Sequence, residues 1–198
     1  VRRLAPWVLA LAAGAAGAQS GTPAQGPAAG GLPVYTLDPT HTFVSFEIRP
    51  AGLSTARGRF DRKQGRVAFD RAARRGEVEI EVATASVSTG VPAFDALLRG
   101  ESLLASERHP TARFVGERFD FEGDRVSAVA GTLTLRGRTQ PLTLRATRFA
   151  CYANPLFQRE VCGGDFEAPL RHRDFGIAAP AGVPEEVRLV VQVEAIRQ

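Results

Sequence analysis

The sequence predicts an all-β protein whose antiparallel strands close into a barrel or stack as a sandwich. Three observations carry this. Short runs of alternating apolar and polar residues recur along the chain, the period of a strand with one buried face. Turn residues punctuate them closely, and no strand–helix–strand rhythm appears, which makes the sheet antiparallel. About eight such strands, each apolar on one face, suffice for either architecture.

The first strand is the clearest. Within Asp38 to Phe60 (DPTHTFVSFEIRPAGLSTARGRF), Val44, Phe46 and Ile48 alternate with Phe43, Ser45 and Glu47, and Pro50, Gly52 and Gly58 then turn the chain back. Val67 and Phe69 form the next alternation, followed by Val78, Ile80 and Val82 against Glu77, Glu79 and Glu81, a solvated outer face. From Pro92 to Ser106 the rhythm changes. Phe94, Leu97, Leu98, Leu103 and Leu104 are spaced by three and four with Gly100 interrupting, which predicts one helix or two short ones, placed to cap an end of the sheet. Alternation resumes at Leu133 and Leu135, at Leu142 and Leu144, at Phe166, Ala168 and Leu170, and from Val187 to Val193.

Residues 1–18 read as a secretory signal. Arg2 and Arg3 precede the apolar run Leu4 to Ala15, and Ala16-Gly17-Ala18 fits a cleavage site, so cleavage after Ala18 and a periplasmic location are expected. The run is shorter than the roughly 20 apolar residues a bilayer span needs. Residues 19–33, rich in Gly, Ala, Pro and Gln, are expected to be a flexible tether, leaving residues 34–198 as one domain. In an oxidising compartment Cys151 and Cys162 are expected to pair. Two of the four net positive charges are Arg2 and Arg3, and no basic stripe remains, which argues against nucleic acid as a partner. An outer-membrane barrel is disfavoured as well, hence no stable membrane insertion. Such barrels carry Trp and Tyr girdles, whereas Trp7 lies in the signal and only Tyr35 and Tyr152 remain.

Several segments, in order, resemble the YceI family of secreted lipid-binding barrels. They are Tyr35-x-Leu37-Asp38-x-x-His41, Gly52-Leu53-Ser54 to Gly58-Arg59-Phe60, Phe69-Asp70, Ala85 to Gly90, Asp95-x-x-Leu98-Arg99, His109 to Phe114, Gly131 to Gly137 with Thr139 and Pro141, and Asp174-Phe175-Gly176. Three places depart from the pattern. Pro50-Ala51-Gly52 stands for histidine-leucine-glycine, Leu97 for the helix histidine, and His172 for an arginine. Those changes argue against carrying over a fixed polar contact to a ligand head.

The resemblance implies a lipocalin-like barrel of about eight strands holding one long apolar ligand, a polyisoprenoid or an isoprenoid quinone, with a tendency to dimerise. The residues expected to line its interior are Val44, Phe46, Ile48, Phe60, Phe69, Ile80, Phe94, Leu98, Phe114, Leu142 and Leu144. Burial at ~25 cal/mol per Å² supplies affinity for such a ligand without charge. Arg57 and Arg59 are expected near a barrel mouth. No nucleophile elbow, zinc-protease or nucleotide-binding motif occurs, so neither catalysis nor a cofactor or metal is expected, and His41, His109 and His172 read as structural. The competing expectation is an interaction module that serves a membrane electron-transfer or stress-response protein.

Overall fold

The computed structural model describes residues 31–198; the expected signal, its cleavage point and most of the expected tether lie outside the described residues. Eleven strands are present among them: β1 (Val34–Leu37), β2 (Phe43–Ile48), β3 (Ala56–Phe60), β4 (Lys63–Asp70), β5 (Arg75–Ala83), β6 (Val87–Ser88), β7 (Thr111–Glu122), β8 (Arg125–Leu135), β9 (Arg138–Asn154), β10 (Arg159–Arg171) and β11 (Glu186–Arg197). One α-helix, α1 (Pro92–Arg99), lies between β6 and β7.

The strands close. Neighbours run β1-β4-β5-β7-β8-β9-β10-β11, and β11 pairs back onto β1. Six of the short strands are halves of three bent ones. The C-terminal part of β11 pairs with β1 (Leu37↔Ala195), while its earlier part pairs with β2 (Val44↔Val191). In the same way β3 and β4 face β2 and β1, and β6 and β5 face β3 and β4. Eight antiparallel strands therefore make one barrel.

Thr42 secures the first bend. It is fully buried, its hydroxyl donates to the Glu194 carbonyl and accepts from the Glu194 N–H, and the ladder stays satisfied where the strand kinks. Beside it Asp38 accepts from Thr40 and contacts His41 Nδ1 at 2.7 Å, so His41 serves this turn through a side chain rather than through backbone. Burial alone would raise the Asp38 pKa. The bonds from His41 and Thr40 outweigh it and hold the carboxyl at about 2.

Inward residues follow the alternation read from the sequence through β5 and β11. Along β7 the phase changes. The ladder skips Glu117 between Gly116 and Arg118, so Phe114 and Gly116 point inward and then Phe119 and Phe121 do, and it skips Ser127 of β8 opposite Asp120 and Phe121. Gly131, opposite Gly116, is required there because a Cβ would lie 2.0 Å from the Val115 carbonyl oxygen.

The helix does not reach Ser106. It ends at Gly100, and turns then bury Leu103 and Leu104. Thr89 donates both its backbone N–H and its hydroxyl to Asp95 at 2.7 Å, which fixes the helix rotation against β6. Leu98, one turn on from Asp95, packs on the core, while Phe94 and Leu97 face solvent at 59% and 52% exposed. Phe94, expected inside, is therefore an outer-surface residue. On the outer wall Glu79 and Glu81 meet Arg113, and Arg57 and Arg59 are tied to Glu47 and Asp61, both at 2.8 Å. Among the described residues no helix is long and apolar enough to cross a membrane.

Candidate functional site

An apolar interior space lies in one half of the barrel, the half next to the β4–β5, β7–β8 and β9–β10 turns. A cavity of about 60 Å³ lies there, and its wall is carbon and sulfur side chains apart from Gly163. Four of the expected lining residues, Phe69, Ile80, Phe114 and Leu144, form part of this wall. Val44, Phe46, Phe60, Leu98 and Leu142 pack against the core away from the cavity, and Ile48 is half-buried near the opposite end. Residues not singled out from the sequence complete the wall, chiefly Phe119, Phe149, Phe166, Val126, Val129 and Val193. With no polar group to hold water, such a space stays dry and accepts only apolar matter.

The wall has a seam. The β8–β9 ladder stops at Ala128↔Arg145, although β8 begins at Arg125 and β9 continues to Asn154. Beyond Arg145, β9 pairs only with β10, through a register shift at Asp165/Phe166. Val126 and Phe149 stand on the two sides of this unpaired stretch, and both line the cavity. The buried Phe69 ring and the half-buried Phe119 and Phe149 rings close it. Phe69 stacks on Phe119 with centroids 6.4 Å apart and meets Phe149 edge-on at 6.0 Å. A seam held by aromatic contacts instead of ladder hydrogen bonds opens more easily than a paired stretch of the wall.

Polar groups gather only at the rim of this end. Tyr35, buried and 4.8 Å from the Phe69 ring, donates to Glu160 Oε1 at 2.5 Å, and Arg71 donates to Glu160 Oε2. This tie links β1, the β4–β5 turn and β10. Burial first, and then the bond to Glu160, push the Tyr35 phenol up to about 12. The neutral phenol therefore stabilises the fold fully below its free value of 10.0, and that contribution is lost as pH rises toward 12. In a Tyr152→Phe variant, where Tyr35 is the sole tyrosine, phenolate absorbance is expected to stay low until near pH 12. Glu160→Gln should move the rise downward; ionisation at the free value in Tyr152→Phe would show that the tie does not form.

Cys151 and Cys162 are bonded, directly opposite one another across β9 and β10, as expected. Two groups of donor side chains converge among the described residues, Asp38/His41/Glu194 and Cys151/Glu160/Cys162. The first closes the bend described above and the second is consumed by the disulfide. His172 Nδ1 lies 3.0 Å from the Ile177 carbonyl, and His109 packs near Gly137.

A closed eight-stranded antiparallel barrel around an apolar interior, with one short helix at its side, is a lipocalin-like barrel. This chain belongs to the YceI-like domain family, whose model matches residues 35–195. A UPF0312 protein of Pseudomonas paraeruginosa is 33% identical over 160 residues, which cover 80% of this chain and 83% of that protein. Among solved structures, Burkholderia cenocepacia BcnA superposes with a TM-score of 0.68 at 20% identity, over 80% of this chain and 98% of its own. A polyisoprenoid-binding domain from Saccharophagus degradans does so with a TM-score of 0.57 at 16% identity, over 83% and 98% respectively. The two structural likenesses speak to fold alone.

Proposed function

We propose that this protein binds one long apolar lipid inside the barrel, a polyisoprenoid or an isoprenoid quinone, and carries or stores it in the periplasm. The observation that carries the reading is the cavity wall, which offers nothing for a charged or hydrogen-bonding ligand to meet. Family membership supports it, and so does the polyisoprenoid-binding domain that shares the fold. At about 60 Å³ the empty cavity is smaller than the ~150 Å³ that admits benzene in an engineered core. A long chain therefore enters only as the Phe69, Phe119 and Phe149 rings move aside, and the seam is where they can do so. Phe69, Ile80, Phe114 and Leu144 are the lining residues expected from the sequence that contact it first.

The decisive experiment is native mass spectrometry of the protein purified from the periplasm, followed by organic extraction. A stoichiometric isoprenoid is the expected result. Protein that is empty, and stays empty after incubation with quinones and polyprenyl phosphates, would overturn the reading. One observation favours a second reading: Val91, Phe94 and Leu97 leave an exposed apolar strip along α1, which suits an interaction module.

A further inference from the structure

Past Arg145, β9 has no β8 neighbour, and before Val161 β10 has no β11 partner, so the Tyr152–Glu160 end of the β9–β10 hairpin extends beyond the barrel wall as a finger. Its tip exposes Tyr152 at 54%, Leu156 at 87% and Phe157 at 48%. From Thr147 to Arg159 there is no carboxylate, while Arg148 and Arg159 are both exposed. The next acid, Glu160, is engaged by Tyr35 and Arg71, and Asp165 lies across the ladder from Arg148, further from the tip. The Cys151–Cys162 bond staples the base of the finger. The same strand carries Phe149, one edge of the seam over the cavity.

We propose that this hairpin docks the protein on an anionic lipid bilayer, with Leu156, Phe157 and Tyr152 in the headgroup–acyl boundary and Arg148 and Arg159 on lipid phosphates. A convex finger with apolar residues at its point and cations at its flanks fits an interface whose surface is negative and whose interior is apolar. A second copy of this chain fits worse, because like-charged arginines would face each other across the contact. Docked this way, the seam faces the membrane, and a lipid passes between bilayer and cavity without crossing water. The apolar strip on α1 lies at the other end of the barrel, away from the cavity. The transfer role rests on the lipid-binding reading above; the docking itself rests on the hairpin alone.

The test is flotation of the full chain with vesicles of phosphatidylethanolamine and phosphatidylglycerol, compared with phosphatidylcholine alone. Binding to the anionic vesicles is expected, weakening with added salt. The variant L156S/F157S should bind about tenfold or more weakly, as should R148Q/R159Q. F94S/L97S should bind like the parent. Quinone uptake from detergent solution should be unchanged in L156S/F157S, whereas uptake from vesicles should slow by a similar factor. Equal binding by L156S/F157S and the parent would overturn the proposal. So would absence of binding to either vesicle, or a loss of self-association in L156S/F157S with vesicle binding intact. Vesicle binding without lipid uptake would support docking and remove the carrier reading; uptake from detergent without vesicle binding would do the reverse.

Discussion

Val193→Phe is expected to lower lipid binding by two to three orders of magnitude while leaving the barrel folded. Val193 sits on β11 opposite Gly164, half-buried, with its side chain on the cavity wall. A phenyl ring there projects into space that has no other occupant, so it fills rather than clashes. The cost to stability should fall at the low end of the ~1–3 kcal/mol typical of overpacking. The cost to binding is larger. Each buried CH₂ of a ligand contributes about 0.8 kcal/mol, so displacing one five-carbon isoprene unit forfeits about 4 kcal/mol. At about 1.4 kcal/mol per tenfold, that is nearly three decades in affinity. Val190→Phe, on the outer face opposite Ser45, is the control and should bind as the parent does. The measurement is bound isoprenoid per chain by extraction, together with thermal melting to show that both variants fold. A Val193→Phe protein that retains its full complement of lipid would place the ligand outside the barrel interior.

That position was not among those the sequence singled out, and the reason is physical. Alternation tells which face of a strand points inward, and Val78, Ile80 and Val82 were legible for that reason. It does not tell how far along the barrel axis the free space lies. Val44, Phe46, Phe60 and Leu142 point inward as expected, yet they fill the end where β2 and β3 pair, and the cavity begins beyond them. Phe119 and Phe149 escaped for another reason. Bulges at Glu117 of β7 and Thr147 of β9 reset the phase of their strands, and a bulge leaves no period to read. Phe94 was misplaced because a spacing of three and four defines an apolar helix face without saying what covers it. The Thr89–Asp95 hydrogen bonds, invisible as a pattern, turn that face to solvent. The family motifs carried the closed topology; the seam, which lies where β8 and β9 part, has no motif.

Removing the disulfide should have the largest effect on stability. In the chain-entropy model, closing a loop of eleven residues' separation is worth about 3 kcal/mol. Here the bond sits in a hairpin supported on one side only, because β9 lacks its β8 ladder at Cys151. Where a strand is paired on both sides, two neighbours would restrain a residue after the loss of a cross-link; at Cys151 one does. Two consequences are expected for C151A/C162A, or for the parent under reductant. The melting temperature should fall by roughly 6–12 °C, from about 2–4 °C per kcal/mol for a domain of this size. Hydrogen exchange should also accelerate first at Ala153, Glu160 and Val161, before Phe166 and Glu167, which β9 and β11 flank. A uniform rise in exchange would instead mean that the bond acts only through the unfolded chain, and an unchanged melting temperature would mean that it contributes nothing. The local loss reaches beyond stability. Glu160, two residues from Cys162, carries the tie to Tyr35 and Arg71, so a frayed hairpin releases the phenol and loosens the aromatic closure on which Phe69 and Phe149 depend. A barrel whose seam is braced by a disulfide works as built only where thiols are oxidised, and this is the physical support for the exported location proposed above.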